Sequence, residues 1–376
     1  MNSHFFFFIF AFLVYFLINF YVFYRTKQAL PQSKIIRAAY YVVHIFLFSA
    51  FIITMLGRNF LALEIQKFLY FSGTVWMGMA LYLLLFFLLT DIFYFCNRFF
   101  HYLPSVIHAR FRKIQVVSGY ILILCLSIYG YYQFTHPKIV EQKISIAKKA
   151  GNYTHLKVVG VSDLHLGVAI DRERLEQYVR LINSQHPDLI LIAGDLIDNN
   201  ALPLEKERMW ETLNELQAPL GTYLCLGNHE YLSGIKSSMD FLHKTNLHLL
   251  IDSAVVINNS IQIIGRDDKQ GNRNRKPLEE LVKNMNPDLP LLLLDHEPYR
   301  LKEAEENGID LQLSGHTHHG QIFPGNIFVA CIFELPYGYK QKGKTHYYVS
   351  SGLGLWGPPF RIGAHSEIVV FDIEFN

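Results

Sequence analysis

Four long apolar stretches in the first 135 residues restrict the fold of that half more than any other feature of the chain. They cover residues 5–24, 39–56, 69–95 and 114–134. The first has no charged residue and about the length that a helix needs to cross the hydrocarbon core of a bilayer. Residues 1–135 are therefore predicted to form an α-helical transmembrane region of four helices.

The first stretch is predicted to stay in the membrane as an anchor. It lacks the basic start and small-residue cleavage site of a signal peptide, and it is too long for one. The four stretches also account for the high hydrophobic fraction of 51%. Asp91 and His44 lie in or near them, and hydrogen bonding between helices or at a helix end is favoured over a transport path.

Basic residues in the short loops indicate an orientation. They are concentrated in two loops, with Arg25, Lys27, Lys34 and Arg37 between the first two stretches and Arg98, Arg110, Arg112 and Lys113 between the last two. This places both termini, and the second half of the chain, outside the cytoplasm. Four lysines in the predicted linker, residues 136–152, favour the opposite orientation; they are Lys138, Lys143, Lys148 and Lys149.

The second half carries metal-binding side chains, each placed shortly after an apolar run that is typical of a buried strand. In chain order they are Asp163, His165, Asp195, Asn228, His296, His316 and His318. Ligands bind outside the carboxyl ends of the strands in open α/β sheets, so residues at these positions should converge. The pattern predicts a metal centre.

The spacing and chemistry of these residues favour two ions. Asp163 and His165, like His316 and His318, are separated by one residue, and alternate side chains of extended backbone point the same way. Oxygen and imidazole ligands without a thiolate suit Mn, Fe or Zn. Seven ligands exceed the need of one tetrahedral ion. Two ions about 3.5–4 Å apart, which share a carboxylate, are typical of phosphate-ester hydrolysis.

The second half resembles the calcineurin-like metallophosphoesterases, and in particular their membrane-associated bacterial branch. The resemblance runs from Lys157 to the C-terminus and rests on ordered blocks, which are Ser-Asp-Leu-His at 162–165, Gly-Asp at 194–195, Gly-Asn-His-Glu at 227–230 and Gly-His-Thr-His-His-Gly-Gln at 315–321. The chain departs from the family pattern at His319-Gly320 and at Ser366-Glu367, which bears on substrate contacts rather than on the metal site.

The resemblance implies a role for each site residue. One ion would bind Asp163, His165, Asp195 and His318, and the other Asp195, Asn228, His296 and His316, with Asp195 as the bridge. His229 would stand beside the ions and stabilise the transition state or protonate the leaving oxygen. Water activated by the ions would attack phosphorus directly. Independently of the resemblance, the chemistry of the guanidinium group makes Arg361 a candidate to hold a phosphate oxygen bidentately.

Several neighbouring residues have a second interpretation. His296 is flanked by Asp295 and Glu297. In a second interpretation of this stretch, the Asp295 carboxylate accepts a hydrogen bond from an imidazole and orients it. Asp198 is interpreted mainly as a turn residue or as a group outside the ligand shell, and His319 as exposed or likewise outside that shell. Arg361 is as compatible with a surface salt bridge as with a contact to phosphate. The basic stretch 266–276 is interpreted as a solvated loop.

The remaining pattern predicts an α/β domain over residues 153–376, a two-sheet β-sandwich flanked by helices. Apolar residues recur at helical intervals between the strand ends, as at Leu175, Val179 and Ile182. Later stretches are instead rich in strand-forming residues, namely 254–265, 327–333, 346–349 and 368–371. The four cysteines form no disulfide framework, and a net charge of +2 implies no nucleic-acid partner.

Together these features predict a membrane-anchored dimetal phosphoesterase. Tethering to the bilayer favours a lipid-linked phosphate ester or pyrophosphate as substrate. One alternative is a cytoplasm-facing pyrophosphohydrolase of a nucleotide-linked acyl sugar in lipid A synthesis. Another is a catalytically inactive metal-binding membrane scaffold, against which the presence of His229 argues.

Overall fold

The computed structural model describes residues 2–101 and 108–376, and the chain divides into two compact units. The helical unit comprises Met1–Tyr131 with Gly357–Pro359. The sheet unit comprises Tyr132–Trp356 and Phe360–Asn376.

Four long helices form most of the helical unit, as predicted. They are α1 (Asn2–Ala29), α2 (Lys34–Gly57), α3 (Leu63–Phe100) and α4 (His108–Thr135). Each is long and apolar enough to cross a membrane. Many of their large apolar side chains are exposed, as in Phe10 and Phe95, which suits a surface surrounded by lipid. The turns between them are defined locally, since Ser33 caps α2 and His101 ends α3 with a left-handed φ of 52°.

Polar side chains in these helices bind one another. Asp91 of α3 forms an ion pair with Arg25 of α1, and the Trp76 indole donates to the Asn19 side-chain oxygen at 2.7 Å. The buried ring of His44 lies 5.2 Å from the ring of Trp76. These contacts agree with the interhelical hydrogen-bonding interpretation of Asp91.

The sheet unit contains two six-stranded sheets, which confirms the predicted two-sheet α/β fold. The first has the order β1-β12-β2-β3-β4-β5, and the second β10-β11-β9-β8-β7-β6. The strands are β1 (Lys138–Ile146), β2 (His155–Val161), β3 (Leu189–Ala193), β4 (Thr222–Cys225), β5 (His248–Leu250), β6 (Ser253–Ile257), β7 (Ile261–Gly265), β8 (Leu291–Leu294), β9 (Leu311–Ser314), β10 (Gly338–Lys342), β11 (Thr345–Val349) and β12 (Glu367–Phe375).

The centre of each sheet is parallel and buried on both faces. Strands β2 to β5 pair in parallel in one sheet, as do β7, β8, β9 and β11 in the other. Every residue of β3, β4, β8 and β9 is buried, which explains why the sequences of β3 and β8 are continuous apolar runs. Residues from both sheets, such as Leu191 and Leu313, share one core cluster, so the sheets pack face to face.

The sheet unit also contains helices, most of which pack on the outer faces of the sheets. They are α5 (Arg172–Asn183), α6 (Leu202–Lys206), α7 (Met209–Leu213), α8 (Asn228–Leu232), α9 (Ile235–Leu242), α10 (Leu278–Val282), α11 (Leu301–Glu306) and α12 (Gly325–Ile332). Helix α12, by contrast, buries none of its residues. The Asp171 side chain caps α5, and the predicted apolar face with Leu175, Val179 and Ile182 is buried. Separate clusters lie outside the first and second sheets.

Two local predictions are wrong. Much of the predicted linker 136–152 is strand β1, which pairs in parallel with β12. Glu141 and Lys143 lie on the open side, and Lys138 is exposed at the start of the strand, so the charged residues conceal the alternation that buries Ile144 and Ile146. Residues 327–333 lie mainly in helix α12 rather than in a strand. Residues that favour strands form one only where they can pack against neighbouring strands of a sheet.

Candidate metal centre

The predicted ligands are all placed by the carboxyl ends of parallel strands. Asp163 and His165 follow β2, Asp195 follows β3, Asn228 follows β4, His296 follows β8, and His316 with His318 follow β9. Because these strands belong to two facing sheets, the loops after them approach from both sides.

Six of these side chains form two compact groups, within each of which the potential ligand atoms lie within 4.8 Å of one another. The first contains Asp163, His165 and His318. In it, His318 Nε2 lies 3.3 Å from Asp163 Oδ1 and 3.0 Å from His165 Nε2. The second contains Asp195, His296 and His316.

Asp195 lies between the groups. Its Oδ2 atom is 3.1 Å from His296 Nε2 in the second group and 3.8 Å from His165 Nε2 in the first. Its Oδ1 atom accepts a hydrogen bond from the backbone N–H of His229 at 2.8 Å. The carboxylate is thus fixed with one oxygen facing both groups.

Asn228 and His296 complete the second group. Asn228 Oδ1 lies 3.0 Å from His316 Nδ1. His296 Nδ1 lies 2.7 Å from the carbonyl oxygen of Ala193, and a bond donated there turns Nε2 towards Asp195. The interpretation of Asp295 as the group that orients this imidazole is therefore wrong.

Asp295 belongs to a different cluster. Its carboxylate pairs with Arg266 at 3.1 Å and with Arg275 at 2.8 Å. The side chains of both arginines are largely buried, whereas Lys269, Arg273 and Lys276 are exposed. The stretch 266–276 is therefore the solvated loop that its composition suggests, held to the fold by Arg266 and Arg275.

The residues present fit divalent metal ions. His296 Nε2 is buried and faces the Asp195 carboxylate at 3.1 Å, and His318 Nε2 faces Asp163 at 3.3 Å. Two imidazole nitrogens also face each other at 3.0 Å in the first group, although neutral imidazole has only one N–H to offer. Carboxylate, imidazole and amide donors are a set that divalent transition metals accept, and a cation between them satisfies the inward-facing nitrogens.

Electrostatics in the two groups also favour cations. Burial, together with the charge of His296, lowers the pKa of His316 to about 4. Burial also lowers the pKa of His318. Both imidazoles are thus neutral, which is the form that binds metal. Burial alone would lower the pKa of His296, but the charge and hydrogen bond of Asp195 raise it well above the usual range. The same carboxylate attracts a metal ion.

The backbone of the site adopts uncommon conformations. Five of the seven predicted ligands have positive φ, namely Asp163 (52°), His165 (48°), Asp195 (51°), His316 (68°) and His318 (49°). Such values are strained for residues other than glycine and cluster at functional sites. The side chains of each predicted pair do converge on the site, but the extended backbone assumed for them is wrong.

His229 lies beside the two groups, forms a third potential group with His165 and Asp195, and is held by Asp198. Its ring packs edge-on against that of His165, with centroids 4.5 Å apart. Its Nδ1 lies 3.0 Å from the Asp198 carbonyl oxygen and 3.3 Å from Asp198 Oδ1. Burial alone would lower the pKa of His229, but the Asp198 hydrogen bond and the charge of Asp195 raise it to about 9. The two carboxylates thus favour the protonated form of the imidazole.

Two acidic residues support the site from outside the ligand sets. Asp198 contacts the rings of His229 and His165, which agrees with its interpretation as a group outside the ligand shell and not with the turn alternative. Glu230 is fully buried and accepts backbone N–H bonds from Asp195, Ile197 and Gly227, so it ties the loops after β3 and β4 together. An acidic residue directly after a predicted catalytic histidine could have indicated this role.

Arg361 does not have the placement predicted for a phosphate-binding residue. It is fully buried, and its guanidinium donates to the carbonyl oxygens of Ser351, Gly352 and Gly354. The loop it holds is bonded in turn to the first ligand loop, since Gly354 donates to the Asp163 carbonyl oxygen at 2.9 Å. Arg361 thus supports the metal centre from behind.

Comparisons with known proteins identify the family of this chain. The family model for calcineurin-like phosphoesterases matches residues 156–320. An uncharacterized metallophosphoesterase of Aquifex aeolicus is 36% identical over 241 residues, which cover 62% of this chain and 91% of that protein. One from Campylobacter jejuni is 33% identical, with coverage of 70% and 69%. A transmembrane protein with metallophosphoesterase domain from Danio rerio is 31% identical, with coverage of 70% and 63%.

Replacing Asp195 with asparagine tests the position between the groups. We expect Asp195→Asn to lower the metal content from two ions per chain towards one or none and to abolish hydrolysis, because both groups lose one negative ligand. Elemental analysis of the purified protein measures this. Asp240→Asn, at an exposed position, is the matched control. Two fully bound ions in Asp195→Asn would contradict the bridging position.

Replacing Arg361 distinguishes support from substrate binding. Arg361→Ala leaves three carbonyl oxygens of the 351–354 loop without their donor, so the unfolding free energy should fall by about 2–4 kcal/mol. A lower thermal midpoint is the measurement, and Arg180→Ala, whose side chain is 67% exposed, is the control. An unchanged midpoint together with a raised KM for a soluble phosphate ester would instead restore the substrate-binding role.

Proposed function

This chain belongs to the calcineurin-like phosphoesterases, and we propose that it hydrolyses a lipid-linked phosphate ester or pyrophosphate at the membrane surface, using two divalent ions. It is a membrane-associated, metal-dependent phosphoesterase. The observation that carries the proposal is the placement of Asp195 between two buried ligand groups, in a chain with four helices that can cross a membrane.

Two overlapping sets of residues would hold the ions, which suit Mn, Fe or Zn. The first set is Asp163, His165, His318 and Asp195, and the second is Asp195, Asn228, His296 and His316. When bound, such ions lower the pKa of water and neutralise charge on the phosphoryl group. The chain itself fixes the ligands, through Glu230 and the Ala193 carbonyl oxygen, before any substrate arrives.

His229 is proposed as the proton donor for the leaving oxygen. It is 14% exposed at the side chain, so a substrate can reach it, whereas Asp163 and His165 are fully buried. The bonds from Nδ1 to Asp198 hold the ring edge-on to His165 and leave Nε2 for the leaving group. A proton delivered there lowers the barrier most for a basic, alkyl-type oxygen.

A substrate in the membrane follows from the tether. The sheet unit continues directly from α4, so its concentration near lipid headgroups is set by the chain rather than by diffusion. A phosphorylated headgroup offers both the ester and the anionic oxygens that a divalent metal centre binds.

An extracytoplasmic location of the sheet unit is part of the proposal. The lysines that argued against it are side chains of the folded unit. Lys148 lies 2.7 Å from Asp310, and Lys138 lies 3.0 Å from His365. The orientation rule counts basic residues in short loops and at the adjoining helix ends, and the excess lies in the helix ends that flank the loop after α1 and the loop before α4. Residues 102–107 of the latter loop lie outside the described part of the chain.

Hydrolysis by the full-length chain in nanodiscs tests the function. With Mn²⁺ or Zn²⁺, the wild type should cleave a phosphorylated lipid and also nitrophenyl phosphate. His229→Ala should lower kcat for the lipid by about 10²–10⁴, the usual effect of losing a positioned acid. The aryl ester should lose much less, because its leaving oxygen needs no proton. Metal content should not change.

His319→Ala is the matched control, since His319 stacks on Tyr337 outside both ligand groups. Equal losses on the two substrates would assign His229 to holding phosphoryl oxygens. Absence of lipid hydrolysis by the metal-loaded wild type, with nitrophenyl phosphate still cleaved, would contradict the lipid substrate.

A reporter at the C-terminus tests the orientation. Alkaline phosphatase fused after Asn376 in a bacterial host should be active, because its disulfides form outside the cytoplasm. A cytoplasmically active fluorescent protein at the same position serves as the opposite reporter. An inactive phosphatase fusion of normal abundance would place the sheet unit in the cytoplasm.

A further inference from the structure

Helix α12 exposes an unusual set of large apolar side chains. Ile327, Phe328 and Ile332 are 52%, 65% and 64% exposed, and Phe323 just before the helix is 47% exposed. The helix buries none of its own residues. We call these four side chains the apolar ridge.

Both ends of α12 are attached to the metal centre. At its start, Gly320 of the turn that contains His318 packs so closely that a Cβ there would lie 2.1 Å from the Asn326 nitrogen. At its end, Phe333 is buried, with its ring centroid 6.0 Å from that of His316. The ridge is therefore fixed relative to two predicted ligands.

The composition around the ridge suits lipid. Residues 321–333 contain no charged side chain. Trp356, which is 49% exposed, lies next to the start of α12, since its carbonyl oxygen accepts from Gln321 Nε2 at 2.8 Å. Tryptophan is enriched where proteins meet the membrane–water interface. The first charged residue after the segment, Glu334, is paired with Lys340 and Lys342 at 3.0 and 2.9 Å.

The ridge also continues to the mouth of the site. Tyr299 is 39% exposed, and its ring lies 4.9 Å from that of Phe333 and 6.5 Å from that of His316. An apolar path thus leads from α12 to the second ligand group. A molecule with an acyl tail and a phosphorylated head matches such a path.

We propose that the apolar ridge is immersed in the bilayer interface and holds the metal centre at the level of the lipid headgroups. The inference rests on the proposed function for its lipid substrate, but not for the insertion of α12. Contiguous apolar surface of this kind marks an interaction site. A bilayer is always present beside a chain with four helices that can cross it. One eight-residue helix is too small for the roughly 800 Å² per partner of a stable protein interface.

Cys331 of α12, which is exposed, provides a direct probe of depth. In the full-length chain with Cys96→Ser and Cys125→Ser, an environment-sensitive fluorophore is attached to Cys331. The remaining thiol, Cys225, is buried. In nanodiscs holding one copy each, lipids with a nitroxide on the acyl chain should quench this fluorophore.

The control carries the fluorophore elsewhere on the sheet unit. Lys236→Cys, combined with Cys331→Ser, places it on α9 at a side chain that is 90% exposed. Quenching should be absent there. Equal and weak quenching at both positions would overturn the proposal. The proposal would also be overturned if the fluorophore on Cys331 were shielded from water only in discs that hold two copies of the chain. The ridge would then bind a second copy rather than the bilayer.

Charged residues on the ridge test its role in catalysis. The double variant Phe328→Asp/Ile332→Asp should lower hydrolysis of a bilayer phospholipid at least about tenfold. Two charged carboxylates would then have to enter the bilayer in place of two apolar side chains, so the ridge would no longer insert. Hydrolysis of nitrophenyl phosphate should be unchanged. Equal activity on the lipid would overturn the positioning role. Quenching at Cys331 in a wild type that cleaves no lipid would support insertion and refute the lipid substrate instead.

Discussion

The Asp195 carboxylate is the group on which the rest of the site depends. It is buried, and it contacts residues that follow three different strands, namely His165, His229 and His296. A buried carboxylate surrounded by imidazoles is stable only if positive charge is shared among them, either as protons or as metal ions. Divalent ions suit the arrangement better, because several nitrogens point inwards and neutral imidazoles cannot all donate.

The surrounding fold stabilises conformations that the ligand loops would not adopt alone. A non-glycine residue with positive φ costs on the order of 1–3 kcal/mol, and the loops contain several. Buried charged groups outside the ligand sets hold these loops in place. Glu230 accepts three backbone N–H groups between β3 and β4, and Arg361 donates to three carbonyl oxygens behind Asp163. Strand ends, strained ligand loops and buried supports therefore form one cooperative unit.

The sequence predicted features that depend on local pattern. Continuous apolar runs identified the buried strands, and the residues after them include the side chains that meet in space. Features that depend on distant partners were not predictable. The lysines of β1 did not indicate that this segment would pair with β12. The charge of Arg361 suggested a phosphate-binding residue rather than a buried donor to backbone carbonyl oxygens. Asp295 showed the same problem, because its partners Arg266 and Arg275 are known only from the fold. The one-residue spacing of Asp163 and His165 is the same for extended and for left-handed backbone, so it did not predict their positive φ angles.

The apolar ridge of α12 and the metal centre belong together in this account, since each is fixed to the other through Phe333 and Gly320. The central proposal for the metal centre is that Asp195 joins two metal sites. Anomalous X-ray diffraction from crystals of the Mn²⁺-loaded chain tests this claim most directly. Two peaks about 3.5–4 Å apart are expected. Asp163, His165 and His318 should contact one, Asn228, His296 and His316 the other, and Asp195 both. A single peak, or two peaks that Asp195 does not join, would contradict it.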